Sequence, residues 1–84
     1  MQAIYVGVKK PYTSAKNGKT YFGAYFARPV ADAPDCVEIL EVDCSAGIHA
    51  KLLTAEQGSL LDIDLAPRVF AGRVQGMDLV AING

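Results

Sequence analysis

The residues with chemistry to offer are bunched near the front of the chain. Lys9 to Arg28, KKPYTSAKNGKTYFGAYFAR, holds five of the eight basic residues, five of the seven aromatic ones and no acid. Residues 1–31 carry Lys9, Lys10, Lys16, Lys19 and Arg28 against nothing, which is +5; residues 32–84 carry Lys51, Arg68 and Arg73 against nine acids, which is −6, and the two sum to the formal −1. Near-neutrality therefore conceals a strongly polar molecule. A basic patch threaded with tyrosines suits a polyanion that also has flat rings to stack, and single-stranded nucleic acid is the commonest ligand with both.

Other chemistries find less support. No nucleophile is placed with a base and no Gly-rich phosphate loop opens a helix, so no catalytic residue is assigned and the chain does not read as an enzyme. Cys36, Cys44 and His49 lack a fourth ligand and match no usual metal spacing; the two cysteines read as small apolar strand residues with free thiols, and no metal or cofactor is expected. Glu38, Glu41 and Asp43 read as solvated charges. The opening MQAIYVGVKKPY lacks the long apolar run of a signal peptide, and no run reaches the roughly 18 residues of a membrane span, so a reducing, cytoplasmic setting is expected.

The elements that must hold the basic and aromatic side chains follow from periodicity. Eighty-four residues make one domain, residues 1–84, with one small core; a chain this short buries only about 60 to 65% of its unfolded surface. Residues 2–9 alternate as a half-buried strand, with Ile4, Val6 and Val8 on one face and Ala3, Tyr5, Gly7 and Lys9 on the other. Pro11 closes that strand, and TSAKNG (13–18) supplies a turn in which Asn17-Gly18 takes positive φ cheaply. Lys19 to Val30 is a second strand, with Phe22, Ala24 and Phe26 opposed to Lys19, Tyr21, Gly23, Tyr25 and Ala27. If the phenylalanines join Ile4, Val6 and Val8 in the core, Tyr5, Lys9, Lys19, Tyr21 and Tyr25 share the solvent face as a binding platform. Tyrosines are also ordinary strand residues, and packing alone explains each of them singly.

Further on, ADAPD (31–35) reads as a loop after a fraying Pro29. CVEILEVDC (36–44) is a third strand whose alternation slips between Val37/Ile39 and Leu40/Val42, which predicts a bulge near Ile39-Leu40. SAGIHAKLLTAEQ (45–57) is a short helix or compact loop. Leu61, Ile63 and Leu65 against Asp62 and Asp64 mark a fourth strand, kinked at Pro67-Arg68 and extended by Val69-Phe70. AGRVQG (71–76) is a hairpin tip, and Met77 to Ile82 a fifth strand with an apolar remainder on both faces, which a subunit partner would cover. Five short strands with one weak helix between the third and fourth give an all-β fold, a small five-stranded OB-fold-like barrel.

At Thr13 to Tyr21 the chain resembles the single-stranded DNA-binding proteins of filamentous bacteriophages (inoviruses), small OB-fold dimers that coat the replicated genome strand. The matching pattern is a Ser/Thr-rich entry, a basic residue, Gly-Lys, any residue, then Tyr, here Thr13, Ser14, Lys16, Gly18, Lys19 and Tyr21. A weaker match covers Gly58 to Gly76 with its Leu61, Ile63, Leu65, Phe70 and Gly72 spacing. The resemblance implies that Lys16 and Lys19 meet phosphates and that Tyr21 stacks on a base. It departs at the last hairpin, where Arg73 and Val74 stand in place of an aromatic tip.

The candidate nucleic-acid contacts are therefore Lys9, Lys10, Tyr12, Lys16, Lys19, Tyr21, Tyr25, Arg28, Phe70 and Arg73. The function expected is sequence-independent coating and protection of single-stranded phage DNA during replication. The expected partners are single-stranded DNA, with single-stranded RNA open to the same surface, and a second copy in a homodimer; neither a membrane nor a small-molecule substrate is expected. The competing class is a small phage or mobile-element interaction module or regulator that presents its aromatic basic face to a protein.

Overall fold

The computed structural model describes residues 1–83, the side chain of Pro34 excepted. Its elements are β1 (Gln2–Val8), β2 (Tyr12–Thr13), β3 (Thr20–Val30), β4 (Ala33–Cys44), α1 (Ala46–Thr54), β5 (Leu60–Phe70) and β6 (Arg73–Asn83). β1 pairs with both β3 and β5, β5 with β6, β6 with β4 and β4 with β3. The five long strands thus close on themselves as a small OB-like barrel with α1 between β4 and β5, the fold class that the strand pattern predicts. Closure encloses a core of Ala3, Tyr5, Ala24, Phe26, Val42, Leu52, Ile63 and Leu79.

The face of β1 is the reverse of the one its alternation predicts. Ala3 and Tyr5 are buried, at 1% and 3% exposure, whereas Ile4 and Val6 lie open at 38% and 44%. The register explains the inversion: Tyr5 stands opposite Phe26 and Val8 opposite Ala24, with a register shift between Tyr5 and Gly7. That bulge inserts one residue, so Tyr5 and Val8 both face inward although three positions apart. Both faces of β1 are largely apolar, and the larger Tyr5 ring fills the barrel against Phe26, ring centroids 5.8 Å apart. Tyr5 is thereby removed from the solvent platform.

β4 also differs from expectation. It pairs with β3 residue for residue from Cys44 to Val37, so no bulge falls at Ile39-Leu40; the irregularity lies at Pro29/Val30. Leu40 and Val42 face inward while Val37 and Ile39 are exposed. The apparent slip is two apolar faces on one strand. The turn before β4 tightens to Ala31-Asp32, so ADAPD is mostly strand.

α1 begins at Ser45, whose Oγ accepts from the Ile48 amide at 3.2 Å, satisfying one orphan donor of the first turn. Its one buried residue, Leu52, packs into the barrel core. β5 and β6 continue past the barrel as a hairpin turning at Ala71 (φ 52°) and Gly72 (φ 76°), two left-handed residues of the kind that match strand twist. The tip is thus two residues long, and Arg73 to Gly76 belong to β6.

Candidate nucleic-acid interface

β2 and β3 form a small hairpin whose loop is tied together by its own side chains. Asn17 Oδ1 accepts from the Lys19 amide at 2.9 Å, the Gly18 amide donates to the Ser14 carbonyl at 2.9 Å, and the Thr13 and Thr20 hydroxyls meet at 2.9 Å. Asn17 Nδ2 also donates to the Tyr21 hydroxyl at 3.1 Å. These bonds hold Lys16 and Lys19 at an exposed tip and fix Tyr21 at its root. Tyr12 and Tyr21 are cross-strand partners, with rings stacked at 6.4 Å between centroids and 25° between planes. Both rings remain open, at 65% and 48% exposure.

The Tyr21 ring stands between two concavities. One, of about 230 Å³, is lined by Lys9, Lys10, Tyr12, Tyr21 and Gly23; the other, of about 240 Å³, by Thr20, Tyr21, Ser45, Arg68 and Asp78. Phe22 and Asp43 border both. The strand therefore presents an aromatic wall with a cation on each side. Arg68 is the residue that sequence reasoning missed. The register of β5 with β6 shifts just after it, between Arg68 and Val69, and nothing in a string of residues says that β5 carries Arg68 to Asp43 of β4 and to the concavity that Tyr21 lines.

Salt bridges sort the basic residues. Lys9 pairs with Glu41, Arg28 with Glu38, and Arg68 with Asp43, with a further contact from Arg68 Nη1 to Asp78 at 3.8 Å. The hydrogen bond to Glu41 raises the Lys9 ammonium above its ordinary range against a small opposing cost of burial, and the hydrogen bond to Asp43, with Asp78 beside it, does the same for Arg68. Both are fully charged at neutral pH, with much of that charge answered locally. Lys10, Lys16, Lys19 and Arg73 have no acidic partner among the described residues.

The ten sequence candidates thus separate. Lys10, Tyr12, Lys16, Lys19 and Tyr21 belong to one hairpin and its approach, and Lys9 joins Lys10, Tyr12 and Tyr21 in the first concavity. Tyr25 lies half-buried on the outer face, with the Lys9 Nζ 6.0 Å from its ring centroid. Arg28 points to the interior side of β3, two residues from buried Phe26, and lines a separate apolar concavity with Leu40, Ile63 and Met77. Phe70 and Arg73 are cross-strand partners at the tip of the β5–β6 hairpin, where Phe70 is 71% exposed. Comparison with known proteins returned no matching family model, no matching characterised relative and no matching solved structure.

Proposed function

We propose that this chain binds single-stranded DNA without reading its sequence, stacking bases on Tyr12 and Tyr21 and meeting phosphates with Lys10, Lys16 and Lys19. The observation that carries this reading is the exposed, stacked tyrosine pair on a hairpin whose lysines have no acidic partner among the described residues. Stacking contributes roughly 1 to 3 kcal/mol per base, and every base has a π face, so the pair binds without preference. Three phosphate contacts give a slope of log K against log salt of about −2 on a single strand. The task that fits is to cover single strands, in the setting of phage replication in a bacterial cytoplasm, with no bond made or broken.

A second copy of the chain is the protein partner that fits best. Leu60, Ile4, Ala27 and Ile39 are successive cross-strand partners and make one apolar row over the outer face of β5, β1, β3 and β4. Ile4, Ile39 and Leu60 are 38%, 58% and 59% exposed, which is costly to leave in water. The same row favours the alternative, a module that binds other proteins. Fluorescence anisotropy of a labelled dT oligonucleotide at two salt concentrations, with a duplex control, separates the two. Tight single-strand binding that weakens steeply with salt and is lost in the Tyr21→Ala, Lys19→Ala double variant supports the DNA reading; no binding at low salt overturns it.

A further inference from the structure

Among the described residues, the strand pairing that closes the barrel between β4 and β6 is a single parallel bridge, which sets Asp43 beside Asp78. Like charges in direct register repel, so the bridge calls for a cation. Arg68 supplies it from β5, donating from Nη2 to Asp43 and placing Nη1 3.8 Å from Asp78. Its register partner on β6 is Gly76, where a Cβ would lie 2.7 Å from Nη2, so the missing side chain is what lets the guanidinium reach across β6. The three side chains are only half covered, at 46%, 42% and 40% exposure for Arg68, Asp43 and Asp78. The guanidinium lines the concavity on the far side of the Tyr21 ring from Lys9 and Lys10.

We propose that Arg68 is a phosphate contact held in reserve, so that a strand draped over Tyr21 exchanges the Asp43 and Asp78 carboxylates for its own phosphate. The inference rests on the nucleic-acid reading and extends its footprint from the β2–β3 hairpin to the root of the β5–β6 hairpin. An ion pair this exposed is weak and a phosphate accepts the same forked donors as a carboxylate, so the exchange itself costs little, while the renewed repulsion between Asp43 and Asp78 opposes it. The two acids then act as an internal competitor. They hold the Arg68 guanidinium in a fixed place when the groove is empty and return it there when the strand leaves, which favours release. A purely structural clamp makes the opposite forecast for the acids: removing either one only loosens the barrel.

The test measures dT-oligonucleotide anisotropy at two salt concentrations for Arg68→Gln, Asp78→Asn, their double variant, and Glu56→Gln as an exposed acid outside the cluster, with thermal melts to establish folding. Arg68→Gln is expected to weaken binding about two- to fivefold and to flatten the log–log salt slope by about 0.7. Asp78→Asn is expected to tighten binding about two- to fivefold, beyond any gain from Glu56→Gln, and the gain is expected to vanish in the double variant. Gly76→Ala keeps every charge while crowding the guanidinium off Asp43, and it is expected to tighten binding as well. A gain from Asp78→Asn no larger than that from Glu56→Gln, or one that survives without Arg68, overturns the proposal. Should Asp78→Asn melt early, Asp43→Asn and Gly76→Ala decide it by the same criteria. Unsubstituted protein that fails to bind at low salt overturns the nucleic-acid reading and this inference together; binding that ignores Arg68 overturns this inference alone.

Discussion

Tyr5 and Tyr21 are the same residue type with opposite employment. Tyr5 fills the barrel at 3% exposure, so Tyr5→Ala leaves a ring-sized void and is expected to cost about 3 to 5 kcal/mol of stability, read as a lower urea midpoint. Tyr21 stands 48% exposed, so Tyr21→Ala is expected to shift stability by less than about 0.5 kcal/mol while removing roughly 1 to 3 kcal/mol of single-strand affinity. Calorimetry and anisotropy on the two variants separate core from site. The cysteines divide in the same way: Cys36 is an exposed free thiol, whereas burial first and Asp43 second push the half-buried Cys44 thiol up from its ordinary 9.0. Mass spectrometry after brief alkylation at mild alkaline pH is expected to find Cys36 modified well before Cys44.

At the scale of elements, two hairpins carry the exposed chemistry and each is shaped by its turn. Asn17 serves the β2–β3 loop twice, accepting from the Lys19 amide and donating to the Tyr21 hydroxyl. Asn17→Ala is expected to leave the barrel's melting temperature nearly unchanged and to weaken single-strand binding severalfold, because Lys19 and Tyr21 are no longer pre-organised and their ordering must be met on binding. The β5–β6 turn holds Ala71 at a positive φ of 52°, which is unfavourable for alanine and well tolerated by asparagine. Ala71→Asn creates an Asn-Gly pair and is expected to stabilise the fold by about 0.5 to 1 kcal/mol, a rise of about 2 to 8 °C in Tm. A lower Tm would show that the turn does not limit the hairpin.

For the molecule as a whole, what the charge imbalance of the sequence concealed is that the basic and acidic halves meet. β3 lies along β4, so the acids of β4 answer Lys9 and Arg28, and β5 brings Arg68 to Asp43. Folding also ties stability to alkaline pH. Burial raises Tyr5 above its ordinary 10.0 and Cys44 above 9.0, so the folded state keeps protons that the unfolded chain gives up. That contribution is complete below those ordinary values and is lost as pH climbs through them towards the higher folded values, so the urea midpoint is expected to fall above about pH 9. The sequence by itself determined the five barrel strands, the helix position, the turn at Asn17-Gly18 and the hairpin that gathers Lys16, Lys19 and Tyr21, because period, turn chemistry and nearest-neighbour charge are local properties. Three decisions belonged to the tertiary structure alone: which face of β1 turns inward, which cations are already answered by acids, and that Arg68 lines one concavity with Tyr21. Each depends on register and closure between strands far apart in the chain, and no local pattern encodes the one-residue bulge that flipped Ile4 outward and Tyr5 in.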